Sequence, residues 1–97
     1  KHNMNCDYVI CLSHLGYKYD SKKISDVTLV PQSKNIDLVI GGHTHTFLNE
    51  PVITTNSIGK QTLITQAGWA GIWLGRVDVF FSFRGEKLFQ QGTKQNI

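Results

Sequence analysis

The 97-residue chain is poor in several things at once, and each shortage excludes something. No apolar run is long enough to cross a membrane as a helix. There are only two cysteines. Cys6 and Cys11 lie around a predicted strand and point to its opposite faces, a poor geometry for a disulfide. No C-x-x-C pair exists, so a cysteine zinc site is not indicated, and Cys11 reads as a small buried hydrophobe. Charge is also scarce. The formal net charge of +3 comes from scattered lysines with no basic run, which argues against a nucleic-acid polymer as partner. The chain opens on Lys1 rather than methionine, so its lack of a leader excludes nothing about export. What is left is a 40% hydrophobic composition, suited to one small globular domain or a piece of a larger one.

The informative stretch is Asp37-Leu38-Val39-Ile40-Gly41-Gly42-His43-Thr44-His45-Thr46. Leu38 to Ile40 read as a strand covered on both faces. Gly41 and Gly42 let the backbone turn sharply or approach a neighbour closely. In an extended segment, side chains at i and i+2 share a side, so His43 and His45 are expected to project together. Imidazole is the commonest protein metal ligand. A solvated pair, or a pair hydrogen-bonded in the core, is the plainer alternative.

A second element repeats the design. Asp7 to Ser13 is apolar throughout its centre and ends in Ser13-His14-Leu15-Gly16. Between the two strands, a short helix is expected within residues 24–34, capped by Ser21, Ser25 or Asp26 and stopped or kinked near Pro31. Strand, helix and strand at this spacing form a βαβ unit with parallel strands and a right-handed crossover. His14, His43 and His45 would then meet at the carboxyl-end rim of one sheet, where open α/β sheets bind ligands.

Downstream the pattern turns to β. Residues 51–55 and 61–66 flank a turn at 56–60 and predict a hairpin. Trp69, in the glycine-spaced segment 67–71, either packs in the core or lines the rim of a pocket, and the bulk of an aromatic side chain favours the core. Residues 72–83 predict a long half-wet strand, with Trp73, Val77, Val79, Phe81 and Phe83 on one face. A turn at Arg84-Gly85, an edge strand over 86–91 and a tail over 94–97 complete the chain. Fold class is therefore α/β: a β-α-β unit followed by a mostly antiparallel hairpin region, in one domain over residues 1–97. Chemically, three imidazoles suit a zinc site with an open position. They equally suit part of a two-metal site completed by carboxylates.

Ser13-His14-Leu15-Gly16-Tyr17, Asp37 to Gly41 and Gly42-His43-Thr44-His45-Thr46 together resemble the C-terminal half of a calcineurin-like metallophosphoesterase domain. The branch they resemble most is that of the 5′-nucleotidases and 2′,3′-cyclic nucleotide phosphodiesterases. Gln66-Ala67-Gly68-Trp69 and Leu74-Gly75-Arg76-Val77-Asp78 extend the resemblance, which covers about residues 7–83. It implies part of an αββα sandwich and a hydrolase acting on nucleotides or another phosphoester. It also implies two divalent ions (Zn, Mn, Fe, Co or Ni), with His14 and His43 on one and His45 on the other. A metal-activated hydroxide would attack phosphorus in line. An extracytoplasmic location follows from the resemblance alone.

The motifs D-x-H, G-D-x-x-D and G-N-H-[DE] of that family are absent, and with them the bridging aspartate and the expected catalytic histidine. His2 is the one further histidine and has no motif around it. The chain thus reads as a fragment, weak or inactive alone, with no catalytic residue of its own. A non-catalytic three-histidine metal module is the alternative. With only one crossover helix to cover it, the sheet is expected to leave apolar surface open, which a second copy of the chain could cover.

Overall fold

The computed structural model describes residues 5–84 and 87–96. The first strand, β1 (Ile10–Leu12), leads through a long loop to α1 (Asp26–Leu29) and a 3-10 turn, Val30–Gln32. Strand β2 (Leu38–Ile40) follows, then β3 (Val52–Thr55) and β4 (Gln61–Thr65). Strands β5 (Trp73–Phe81) and β6 (Lys87–Asn96) end the chain. The first four strands form one sheet in the order β1-β2-β4-β3, and β5 and β6 pair as a separate antiparallel ribbon.

The order strand, helix, strand and the parallel pairing expected of a βαβ unit are present. β1 and β2 run parallel with Cys11 opposite Val39. β3 and β4 form the expected antiparallel hairpin, with Val52 opposite Ile64. The hairpin also joins the parallel part, because β4 lies parallel to β2 with Val39 opposite Ile64. Cys11, Val39, Ile64 and Val52 thus form one row across the sheet. Val39, Ile64 and Val30 of the helical turn are fully buried together, with Cys11 and Val52 packed against them. Ser25 takes the extended N-cap conformation, and its N–H donates to Thr28 Oγ1 at 2.8 Å. Pro31, which has no N–H, stands where the α-helical turn gives way to the 3-10 turn.

Several expectations need correction. β1 is shorter than residues 7–13 and is not covered on both faces. Ile10 is 53% and Leu12 is 79% exposed. The physical reason is position: β1 ends the strand order, and the helical turn packs on the Cys11 side only. β2 spans Leu38–Ile40 as expected, but its last residue, Ile40, is exposed, so the strand is not covered on both faces to its end. β5 stops at Phe81, leaving Phe83 exposed beyond it. The final strand runs on to Asn96, so Lys94–Asn96 belong to a ribbon and not to a tail. Gly85, Glu86, Ile97 and His2 lie outside the described residues. Cys6 and Cys11 form no disulfide with each other, and Cys11 is half-buried rather than buried. No helix among the described residues is long and apolar enough to cross a membrane.

The ribbon is strapped to the sheet by a few side chains. The Tyr8 hydroxyl donates to Gln90 Oε1, and its ring meets Phe81 edge-on at 6.0 Å. Lys87 Nζ lies 3.2 Å from Asp37 Oδ1, and Asp37 Oδ2 accepts from the Val9 N–H at 2.9 Å. Burial first, and the Asp37 carboxylate second, push the Tyr8 phenol up to about 12.

Candidate functional site

The ladder carries on past the strand ends and fixes where the histidines begin. Ser13 N–H donates to the Ile40 carbonyl at 3.0 Å, and Gly41 N–H donates to the Thr65 carbonyl at 2.8 Å. His14 and Gly42, each one residue further on, therefore leave neighbouring strands at the same edge. The His14 ring lies against Gly42, with Nδ1 3.3 Å from where a Cβ would stand. His14 Nε2 and His43 Nδ1 are 3.2 Å apart, and the two exposed rings meet edge to face. Two nitrogens on one tetrahedral zinc, at bonds of roughly 2.0–2.1 Å, stand about 3.3 Å apart. The pair's spacing suits a shared ion, and it equally suits a direct imidazole–imidazole hydrogen bond.

His45 departs from the expected arrangement. His43 and His45 have φ of 71° and 53°, so the segment is not extended and the i, i+2 rule does not apply. His45 instead stacks flat on Trp69, with ring centroids 5.6 Å apart and planes at 11°. Among the described residues, no three His, Cys, Asp or Glu side chains gather around one point. Trp69 is correspondingly not a core residue; it is 57% exposed. The core is filled by the row across the first sheet, and the glycine-spaced loop carries the indole out to the rim.

Beneath the rim lies a polar support that the pattern of apolar runs does not signal. Asp26 is fully buried at the start of α1. Its Oδ1 accepts from Ser13 Oγ at 2.6 Å, one residue before His14. Its Oδ2 lies directly under Gly41, where a Cβ would collide with it. Burial raises the Asp26 carboxyl above the usual range, and the Ser13 hydrogen bond opposes that only in part. Gln66, also buried, follows β4. Its Oε1 accepts from the Thr46 N–H at 2.6 Å and from Thr44 Oγ1 at 3.3 Å. Thr44 Oγ1 in turn accepts from the Tyr17 N–H at 3.1 Å. The two threonines of G-G-H-T-H-T thus fasten the turn, and the histidine before each of them stays exposed. Asp26 follows a capping serine, the one local cue to its place. Gln66 carries no such cue.

No protein-family model matches the chain. Individual proteins do match. It is 39% identical over 77 residues to the trifunctional nucleotide phosphoesterase protein YfkN of Bacillus subtilis, covering 79% of this chain and 5% of that protein. It is 29% identical over 98 residues to the snake venom 5′-nucleotidase of Crotalus adamanteus, covering 88% of this chain and 16% of that one. Against human 5′-nucleotidase it is 26% identical over 103 residues, covering 93% of this chain and 17% of the relative. The crystal structure of the 5′-nucleotidase precursor from Thermus thermophilus superposes with a TM-score of 0.82 at 27% identity, covering 99% of this chain and 20% of that one. In sequence and fold the chain is therefore similar to one segment of a nucleotide phosphoesterase. Within that class the chain is a relative of the 5′-nucleotidases, and it spans no more than a fifth of the length of the proteins just named.

Proposed function

We propose that the chain supplies one side of the metal-bearing rim of a hydrolase that cleaves nucleotide phosphoesters. His14 and His43 would share one divalent ion, and His45 would serve a second. The observation that carries this is the 3.2 Å approach of His14 Nε2 to His43 Nδ1 at the carboxyl ends of adjacent parallel strands. The naming of the relatives supports the substrate class; an αββα setting is what the resemblance of the sequence motifs implies. The words "venom" and "precursor" in those names fit an extracytoplasmic place of work. The donor set admits zinc, manganese, iron, cobalt or nickel.

Divalent ions in such a site supply Lewis acidity toward phosphoryl oxygens. This chain's own part is to hold and orient. Asp26 and Ser13 set the strand end that bears His14. Gly42 lets the His14 ring lie close to the backbone. Gln66, Thr44 and Thr46 hold the turn that bears His43 and His45. The relatives' activity speaks against a non-catalytic three-histidine module. The second reading with a direct observation behind it is a metal-free His14–His43 hydrogen bond.

Metal content after loading with Mn2+ or Zn2+ and desalting separates these. Retention of about one ion or more per chain, lost in His14→Ala and in His43→Ala, is the expected result. Retention unchanged in both variants, or none in the wild type, overturns the ligand assignment in favour of the hydrogen-bonded pair.

A further inference from the structure

We infer that Trp69 is a positioning residue for His45, holding the imidazole plane so that its ring nitrogens face along the rim. The inference rests on His45 as a ligand and goes beyond it. The two rings are nearly parallel and 5.6 Å apart between centroids. Imidazole nitrogens offer their lone pairs in the ring plane, so a partner on the ring face fixes the plane without covering either nitrogen. An edge contact would compete for them.

The backbone is built to bring these two rings together. The Gly68 N–H donates to the Thr46 carbonyl at 2.8 Å, and the Leu48 N–H donates to the Gln66 carbonyl at 3.0 Å. Phe47 and Ala67 are bridge partners. The residue after His45 is thus bonded to the residue before Trp69. Phe47 lies across Gly68 where a Cβ would collide, and its other partner is Trp73, edge-on at 4.7 Å. Gly68 and Gly71 have φ of 77° and 67°, a region that glycine enters freely. His45 and Ala70 enter it too, at 53° and 63°, without that freedom. Non-glycine residues in left-handed geometry persist only where the surroundings over-determine them, and they gather at binding sites. Here one of them bears a stacked ring and the other directly follows Trp69. An indole with over half its surface in water gains little from burial at that place, so the burial of apolar area does not explain it.

The test uses the 97-residue chain in a Trp73→Phe background, which keeps a ring against Phe47 and leaves Trp69 as the sole indole. Two readouts are combined: the ring-current shift of the His45 protons without metal, and Co2+ affinity from quenching of Trp69 emission and from calorimetry. Trp69→Ala is expected to remove the upfield shift and weaken Co2+ binding about two- to tenfold, the range set by one aromatic ring pair. Trp69→Phe is expected to restore both. Quenching of Trp69 is expected to vanish in His45→Ala. If His45→Ala weakens Co2+ binding and Trp69→Ala leaves it unchanged, the positioning role is refuted while the ligand stands. If His45→Ala has no effect, or the wild type takes no Co2+, the ligand assignment fails and this inference falls with it.

Discussion

The two sheets of this molecule are held by different means. In the first, Cys11, Val39, Ile64 and Val52 line up across four strands, and the helical turn closes over them through Val30. In the ribbon, β5 and β6 pair along almost their whole length, yet Leu74, Phe80 and Phe81 of β5 stay exposed. The ribbon is fastened to the rest by Tyr8, Lys87, the edge-on contact of Trp73 with Phe47 and the seating of Pro51 on Gly92. The difference matters for the site. His14 and His43 leave strands of the first sheet, and their support, Asp26 and Gln66, is buried there too. The geometry of His14 and His43 should therefore follow the stability of the first sheet and be nearly indifferent to the ribbon, whereas the His45 side also touches the ribbon through Phe47 and Trp73.

Truncation of the core row gives the largest contrast. Ile64→Ala is expected to cost about 2–5 kcal/mol, the range for deleting a fully buried aliphatic side chain. Val79→Ala, at a half-buried place on the ribbon, should cost about 1 kcal/mol or less. Urea midpoints at constant slope report both. Equal losses would break the comparison, because the ribbon would then carry as much of the folded state as the sheet.

Added methyl groups sharpen it. Gly41→Ala forces a Cβ onto the buried Asp26 carboxylate, whose other oxygen is held by Ser13. A loss of about 1–3 kcal/mol is expected, as for overpacking elsewhere, with a changed His43 ring resonance beside it. Gly75→Ala in β5 meets nothing within 4 Å. It should be neutral or stabilise by up to about 1 kcal/mol, because glycine in a strand is entropically costly. A neutral Gly41→Ala would mean that Asp26 does not press on the turn.

How far the sequence foretells each region follows the same division. The βαβ unit and the hairpin were legible because apolar runs bounded by glycine, proline and polar residues have a direct physical meaning. Coverage was not. Apolarity at Ile10 and Leu12 says that both faces could be buried, while the packed row shows that only the Cys11 side is. His14 and His43 come together because strand ends in a parallel pair must. His45 does not follow, because a left-handed φ on either side of Thr44 breaks the two-residue alternation on which its projection depended. Periodicity is blind to backbone sign for non-glycine residues. It is blind also to Asp26 and Gln66, polar side chains whose burial depends on partners far along the chain. Trp69 misled for a related reason: aromatic bulk favours burial on average, whereas here a ring partner at the rim decides.

The strap offers the finest test of the division. With its folded value near 12 and an unfolded value of about 10, the Tyr8 phenol stays protonated longer in the folded state. The stability it contributes is fully present below pH about 10 and is lost as pH rises through 12, because the unfolded chain releases the proton first. Tyr8→Phe removes the hydrogen bond to Gln90 and with it this dependence. At pH 9 the variant should be about 1 kcal/mol less stable, the usual net worth of one hydrogen bond. The gap should narrow between pH 10 and 12 as the wild-type phenol ionises. Urea midpoints of both proteins at several pH values measure it, with the His14 and His43 ring resonances followed at pH 9. A gap that stays constant to pH 12 would show that Tyr8 is not linked to folding. Histidine resonances that move with Tyr8→Phe would show that the strap reaches the rim, and the ribbon could then no longer be treated as separate from the site.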